Sequence, residues 1–175
     1  MKIRAARSDD LDAIKALLAE NELPVADINA ALLADFLVAE YSGGQIVGSV
    51  AVERFERSAL LRSLAVARTA RNERLGTMLL THAELLARAS DVSDLWLLTT
   101  TAAGFFRCSG YADVDRDAAS AEMQASTVCP AVSDKRCLHD KKAIAPAVGR
   151  SRAILQLVSL TFGSRSHNAA VLAYR

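Results

Sequence analysis

A short basic loop is the part of this sequence best suited to binding an anion. Residues 67–76 read Ala-Arg-Thr-Ala-Arg-Asn-Glu-Arg-Leu-Gly, and they lie between the apolar run 60–66 and a segment with apolar residues at helical spacing. A strand, a loop and a helix in this order bring the first N–H groups of the helix, which lack intrahelical partners, to one point. The helix dipole is positive at the same point. The sequence therefore predicts a phosphate site at the start of this helix.

Two common phosphate-binding patterns do not fit the loop. The Walker pattern needs Lys and then Ser or Thr after its last glycine, and Gly76-Thr77-Met78 lacks them. The Rossmann pattern needs three glycines, and only Gly76 is present. The stretch 71–76 instead resembles the Arg/Gln-x-x-Gly-x-Gly/Ala loop of the GNAT acetyltransferases, which grip the pyrophosphate of acetyl-CoA. Arg74 stands at the first glycine position, where it either obstructs the ligand or contacts a phosphate itself.

Glu53 and Arg62 form a second candidate constellation, on two predicted strands. If the intervening turn centres between Phe55 and Ala59, the two residues are directly opposed, with Cβ atoms about 5 Å apart. Glu53 would then act as a general base, and Arg62 would anchor a substrate carboxylate. The alternative is a cross-strand ion pair that only supports the sheet, worth under about 1 kcal/mol if it is exposed. The sequence leaves both interpretations open.

Cys129, Cys137 and His139 carry side chains that bind soft metals or arsenite. Their C-x7-C-x-H spacing is not a recognised zinc pattern, and two small buried thiols are the better supported interpretation. We therefore predict no metal site.

Apolar periodicity and turn residues predict the elements that position these side chains. The predicted elements are a strand at 1–5, a helix entered at Ser8-Asp9-Asp10 and ending near Asn21, a short helix at 26–34, three antiparallel strands at 36–41, 45–55 and 60–66, a helix at 74–89, a strand at 95–99, a short helix at 102–109 and a strand at 111–114. This order is similar to that of the GNAT fold, an α/β fold with a mixed, mostly antiparallel sheet flanked by helices. The resemblance covers residues 1 to about 140.

Further segments strengthen the resemblance. Residues 103–111 resemble the family's aromatic pair followed by Gly and an aromatic residue. Within the family, the sequence is most similar to the acetyltransferases of bacterial arsenic-resistance operons. That likeness is carried by residues 60–66, residues 97–102, and Cys129-Pro130 with Cys137 downstream.

The resemblance implies an N-acetyltransferase that moves an acetyl group from acetyl-CoA to the amine of a small molecule. It places nine residues at the cofactor, namely Leu64, Ala65, Val66, Arg71, Arg74, Leu75, Gly76, Thr77 and Phe106. Phe106 stands where many members have a Tyr that protonates the leaving thiolate; Tyr111 is the nearest substitute, or else a core aromatic. A non-catalytic protein that binds CoA or a thiophilic ligand such as arsenite is the alternative.

Composition predicts one globular domain, because 51% of the 175 residues are hydrophobic and 23% are charged. We assign residues 1–142 to the acetyltransferase domain and 143–175 to a basic C-terminal extension. The first 140 residues carry more acids than bases, so no nucleic-acid partner is expected. No secretory signal and no apolar run of membrane-spanning length are recognised, and three cysteines suggest reduced thiols. We expect a cytoplasmic monomer or homodimer without membrane association.

Overall fold

The sheet of this protein contains seven strands in a computed structural model that describes residues 1–71, 73–99, 101–115, 118–124 and 136–140. The strands are β1 (Lys2–Ala5), β2 (Phe36–Glu40), β3 (Ile46–Phe55), β4 (Ser58–Val66), β5 (Asp94–Thr99), β6 (Tyr111–Val114) and β7 (Arg136–Asp140). The α-helices are α1 (Leu11–Glu20), α2 (Leu75–Ala89), α3 (Ala103–Cys108) and α4 (Ala121–Gln124). Short 3-10 turns cover Ser8–Asp10, Leu32–Asp35 and Arg68–Ala70.

The spatial order of the strands is β1-β2-β3-β4-β5-β7-β6. Every neighbouring pair is antiparallel except β4 and β5, which run parallel because α2 crosses over between them. The predicted mixed, mostly antiparallel sheet flanked by helices is therefore confirmed.

Two predicted features of the element order are wrong. Residues 26–34 do not form an α-helix; the only helical turn that overlaps the segment is the 3-10 turn Leu32–Asp35. The Asn29 side chain accepts hydrogen bonds from the N–H groups of Ala31 (2.9 Å) and Leu32 (3.3 Å), and such local bonds compete with helical ones. The sequence prediction also omitted β7, which lies between β5 and β6 although it follows both in the chain.

Each face of the sheet is covered by one long helix. On one face, α1 buries Ile14, Leu17 and Leu18 against side chains of the sheet and the following loop, namely Ile28, Phe36, Val38, Ala51 and Ala65. On the other face, α2 buries Leu75, Leu79, Leu80, Ala83 and Ala87 in the larger core. These positions recur every three to four residues, as an amphipathic helix requires.

Gly48 allows α2 to approach β3 closely. A Cβ at this position would lie 2.8 Å from Leu79 Cδ1, 3.3 Å from Leu75 Cδ2 and 3.4 Å from Ala39 Cβ. Leu79 is 0% exposed, so this contact lies inside the core. We expect Gly48→Ala to lower the free energy of unfolding by about 1–3 kcal/mol, because overpacking forces shifts in the core.

Urea denaturation measures this effect, and Gly43→Ala is the matched control. Gly43 lies in the exposed β2–β3 turn, and a Cβ there would meet nothing within 4 Å. The Gly48→Ala penalty should shrink in a Leu79→Ala background, since the two changes act on the same contact. Equal stability of the Gly48 and Gly43 variants would contradict the packing argument.

Candidate acetyl-transfer site

A β-bulge interrupts β4 at Ser63. In the register between β3 and β4, Ser49 pairs with Ala65 and Ala51 pairs with Arg62, so two residues of β4 oppose one residue of β3. Ser63 has a φ of +57°, and its carbonyl accepts a hydrogen bond from Ser49 Oγ at 3.0 Å. An extra residue bends the strand that contains it and increases the local twist. The bulge therefore turns the end of β4 away from its straight path.

β4 and β5 lose their pairing at the same level of the sheet. Their described ladder ends at Leu61 and Leu97, although β4 continues to Val66 and β5 to Thr99. Beyond Leu61, the β5 side of β4 has no described ladder partner. A strand edge of this kind binds an extended ligand through main-chain hydrogen bonds, as an added strand would.

We call the space between β4 and β5 beyond Leu61 and Leu97 the groove, and the N-terminus of α2 lies at its open end. A Cβ added to Gly76 would lie 3.9 Å from Val66 Cγ2 and 3.7 Å from Phe105 Cζ, so the end of β4, the start of α2 and α3 meet here. The residue before the helix, Arg74, makes no side-chain capping bond. The N–H groups of the first helical turn, Leu75 to Thr77, thus lack intrahelical acceptors and remain available to an anion.

Arg74 has a φ of +57°, which is the left-handed conformation that glycine adopts without cost. Glycine is favoured at that position of the loop because the backbone adopts a left-handed conformation there, just before the helix begins. The Arg74 side chain is exposed. Arg71 is also exposed, and its Nη2 donates a hydrogen bond to Asn21 Oδ1 at 2.8 Å.

The predicted cofactor residues differ in how far their side chains are exposed. Leu75 and Ala65 are 1% and 3% exposed, so their side chains belong to the two cores and only their backbones can meet a ligand. Leu64 and Val66 are partly buried against the larger core. Thr77 is exposed on the first turn of α2.

Phe106 lies in the core rather than in the groove. It is 5% exposed, and its ring packs edge-to-face on Tyr111, with centroids 5.7 Å apart. The neighbouring Phe105 is the aromatic residue closest to Gly76. Tyr111 is 4% exposed and its hydroxyl donates to Glu84 Oε1 at 3.2 Å, as expected of a core aromatic.

Glu53 and Arg62 form an ion pair, but the predicted register is wrong. Glu53 lies opposite Leu60, and Arg62 lies opposite Ala51, because the turn is a tight two-residue one in which Glu56 adopts a φ of +48°. The pair is diagonal on one face of the sheet, where long side chains still meet. Arg62 Nη1 donates to Glu53 Oε2 at 3.1 Å.

Asp27 is a third member of this cluster and was not identified from the sequence. Its carboxylate accepts a hydrogen bond from Arg62 Nη2. Ile28, which is 1% exposed, anchors the loop after α1 in the α1-side core and so places Asp27 over the sheet. The Arg62 side chain is 6% exposed, and its Nε is buried without a hydrogen-bond partner among the described residues. No local pattern marks Asp27, because it lies 35 residues from Arg62 in the chain.

Asp35 adds a further carboxyl group beside the cluster. Burial raises the pKa of Asp35; the positive charge of Arg54 opposes this shift, and the negative charge of Glu53 adds to it. Two carboxylates, those of Asp27 and Glu53, thus bind one buried guanidinium, and Asp35 interacts electrostatically with Glu53.

Several predicted features lie outside the described residues or away from this site. Cys129 and the extension 143–175 are outside the described ranges, and so is the proposed boundary at residue 142. Cys137 and His139 belong to β7, where their Cα atoms pair with Leu98 and Trp96 of β5.

Within the described ranges, no group of three or more His, Cys, Asp or Glu residues is arranged to hold a metal ion. Within the same ranges, no helix has the length and hydropathy of a membrane span.

The sequence of the central part of the chain matches a known family. Residues 33–113 match the acetyltransferase (GNAT) domain. An uncharacterised N-acetyltransferase of Chlorobaculum tepidum is 34% identical over 84 residues, which cover 47% of this chain and 53% of that protein. The chain thus spans about half the length of the curated relative it matches.

Solved structures show the same fold at low identity. N-acetylglutamate synthase from Neisseria gonorrhoeae, solved with coenzyme A and N-acetyl-glutamate, has a TM-score of 0.71 and 23% identity, over 79% of this chain and 34% of that chain. Rv2747 from Mycobacterium tuberculosis, in complex with CoA, has a TM-score of 0.68 and 20% identity, over 79% of this chain and 98% of that chain. The fold is therefore that of the GNAT acetyltransferases. The family match and the shared fold both indicate similarity to the GNAT acetyltransferases.

Proposed function

We propose that this protein is an acyltransferase that moves an acetyl group from acetyl-CoA to the amine of a small molecule. The observation that carries the proposal is the groove where β4 leaves β5 beyond Leu61, with the start of α2 at its open end. Relatives of the same fold have been solved with CoA, which supports acetyl-CoA as the co-substrate. Residues 60–66 and 97–102 resemble arsenic-operon acetyltransferases, so the proposed setting is detoxification by a cytoplasmic monomer or homodimer.

The chemistry of the groove fits an extended thioester with phosphate groups. The free β4 edge offers main-chain donors and acceptors to the amides of a pantetheine arm at Leu64 and Val66. The first N–H groups of α2 and the exposed cations Arg71 and Arg74 supply positive charge for the pyrophosphate. Gly76 lies where these elements meet.

Glu53 is the group we propose as the general base. Its side chain is 21% exposed, so the carboxylate is accessible from the acceptor side while Arg62 holds it in place. Glu53 accepts the proton of the acceptor ammonium, and the freed nitrogen attacks the thioester carbonyl carbon. Backbone N–H groups on the free edge of β4 donate to the developing oxyanion, and the C–S bond then breaks. Phe106 has no proton to give, so the second proton that the attacking nitrogen must lose passes through water to the leaving thiolate.

Gly76→Asp tests the phosphate end of the site. We expect acetyl-CoA affinity to fall by about tenfold or more, because a carboxylate at the first turn of α2 repels the pyrophosphate. Isothermal titration measures the affinity. Gly76→Ala and Gly76→Asn are matched controls, since the added Cβ meets Phe105 and Val66 only at ordinary contact distances of 3.7–3.9 Å. The Asp effect should also weaken as salt is added.

Unchanged affinity in Gly76→Asp would remove this loop from the cofactor site. Release of free CoA, followed with a thiol reagent during incubation with acetyl-CoA and a panel of amines, tests the activity itself. A protein that binds CoA but transfers acetyl to no amine would support the non-catalytic alternative.

A further inference from the structure

Arg62 is the cation nearest the proposed base, and it is already neutralised. Its Nη1 binds Glu53 and its Nη2 binds Asp27, so both ends of the guanidinium fork carry a carboxylate. A substrate carboxylate binds an arginine most strongly through this same fork. The expected anchoring of a substrate carboxylate by Arg62 would therefore require one of the two protein carboxylates to leave.

The Asp27 contact is built into the fold. Asp27 precedes Ile28, which is 1% exposed in the core beneath α1, beside Ala51 and Ala65. The Ile28 N–H also donates to the Val25 carbonyl at 3.2 Å, which closes a turn around Asp27. The loop is thus held against the sheet on either side of the carboxylate.

The charges beside Arg62 are mainly negative. Asp27 and Glu53 each have 21% of their side chains exposed, so both side chains are partly accessible from solvent. Asp35 interacts electrostatically with Glu53, and Arg54 is the cation that offsets it. A carboxylate on the acceptor would enter next to like charges, whereas an ammonium would be attracted.

We propose that Asp27 is a specificity-determining residue, which closes Arg62 to substrate carboxylates and selects primary amines that carry no carboxylate beside the amine. This inference rests on the proposed acetyl transfer and narrows its substrate class. An amino acid binds poorly because its carboxylate is repelled by Asp27 and Glu53 and finds the Arg62 guanidinium occupied. The corresponding decarboxylated amine has no carboxylate and meets neither obstacle.

Matched acceptor pairs test the inference. Agmatine and arginine, tyramine and tyrosine, and phenethylamine and phenylalanine differ only in the α-carboxylate, and the methyl esters of the amino acids restore its bulk without its charge. We expect kcat/KM to be at least about tenfold higher for the amine in each pair that reacts, with the ester close to the amine. Calorimetry measures the affinity of each acceptor for the complex of the protein with CoA, where no turnover occurs. Within each pair, the amine should bind more tightly than the amino acid.

A second test changes the protein instead of the acceptor, with the variants Asp27→Asn and Asp27→Ala. Both should reduce the preference for the amine over the amino acid, Ala more than Asn, because Arg62 Nη2 becomes free to bind a carboxylate. Asp12→Asn, on the exposed side of α1, is the control and should keep the preference. A change in melting temperature with an unchanged ratio would show that Asp27 is only structural.

Different results would contradict the role of Asp27 and the proposed acetyl transfer. An amino acid that binds and reacts as well as its decarboxylated partner in the wild-type protein would overturn the inference while leaving acetyl transfer intact. Absence of acetyl-CoA binding would instead contradict the proposed function, and it is measured before any acceptor is added.

Discussion

Glu53→Gln should lower kcat for acetyl transfer by roughly 10²–10⁴, the range expected when a positioned base is removed, while acetyl-CoA still binds. The amide keeps the shape of the side chain and an oxygen that can accept the hydrogen bond from Arg62 Nη1. It cannot take a proton from the acceptor. Steady-state kinetics at saturating acceptor and titration of acetyl-CoA separate the chemical step from cofactor binding.

Glu56→Gln is the matched control for this prediction. Glu56 is exposed in the β3–β4 turn, so its loss should leave the rate unchanged. If the Glu53–Arg62 pair only supports the sheet, Glu53→Gln will lower the melting temperature modestly and leave the rate per folded molecule as it was. A fully active Glu53→Gln protein would exclude Glu53 as the base and leave solvent to deprotonate the amine.

Arg4→Met should lower the free energy of unfolding by about 3–5 kcal/mol, the cost of removing one member of a buried ion pair. Arg4 and Asp10 are 6% and 7% exposed, and Arg4 Nη1 and Nη2 bind Asp10 at 2.6 and 3.0 Å. Arg4 also binds Glu40 of β2. The variant would leave the Asp10 carboxylate buried without its cation. Arg7→Met, at an exposed neighbouring side chain, is the control for chemical denaturation.

The ion pair between Arg4 and Asp10 should also make the stability of the protein depend on pH. The hydrogen bond from Arg4 holds the pKa of Asp10 below its usual range, with a backbone hydrogen bond from Arg7 acting in the same direction and burial opposing them. Asp10 therefore contributes stability above its unfolded pKa of about 4, and this contribution is lost as the pH falls through the lower folded pKa. The gap between wild type and Arg4→Met should narrow on acidification. A gap that is constant from neutral to acidic pH would contradict the pairing.

Local sequence was sufficient for the elements whose apolar pattern is strong. The predicted strands at 36–41 and 60–66 correspond to β2 and to most of β4, and the predicted helix at 74–89 corresponds to α2 within one residue. In each case the pattern and the burial agree, because a strand or an amphipathic helix must present one set of positions to the core. The prediction failed at 26–34, where the Asn29 side chain binds backbone N–H groups and Ile28 and Leu33 anchor the chain without a helix.

In the candidate site, too, some features could be predicted from the local sequence and others could not. The sequence by itself indicated the proposed phosphate loop, because a strand, a basic loop and a helix N-terminus are contiguous in the chain, and it indicated Glu53 and Arg62 as partners. Only the tertiary structure decided their diagonal register, the bulge at Ser63, and the presence of Asp27 on the same guanidinium. A two-residue difference in register depends on the turn conformation of Glu56, and the Asp27 contact joins residues that only the packed core brings together.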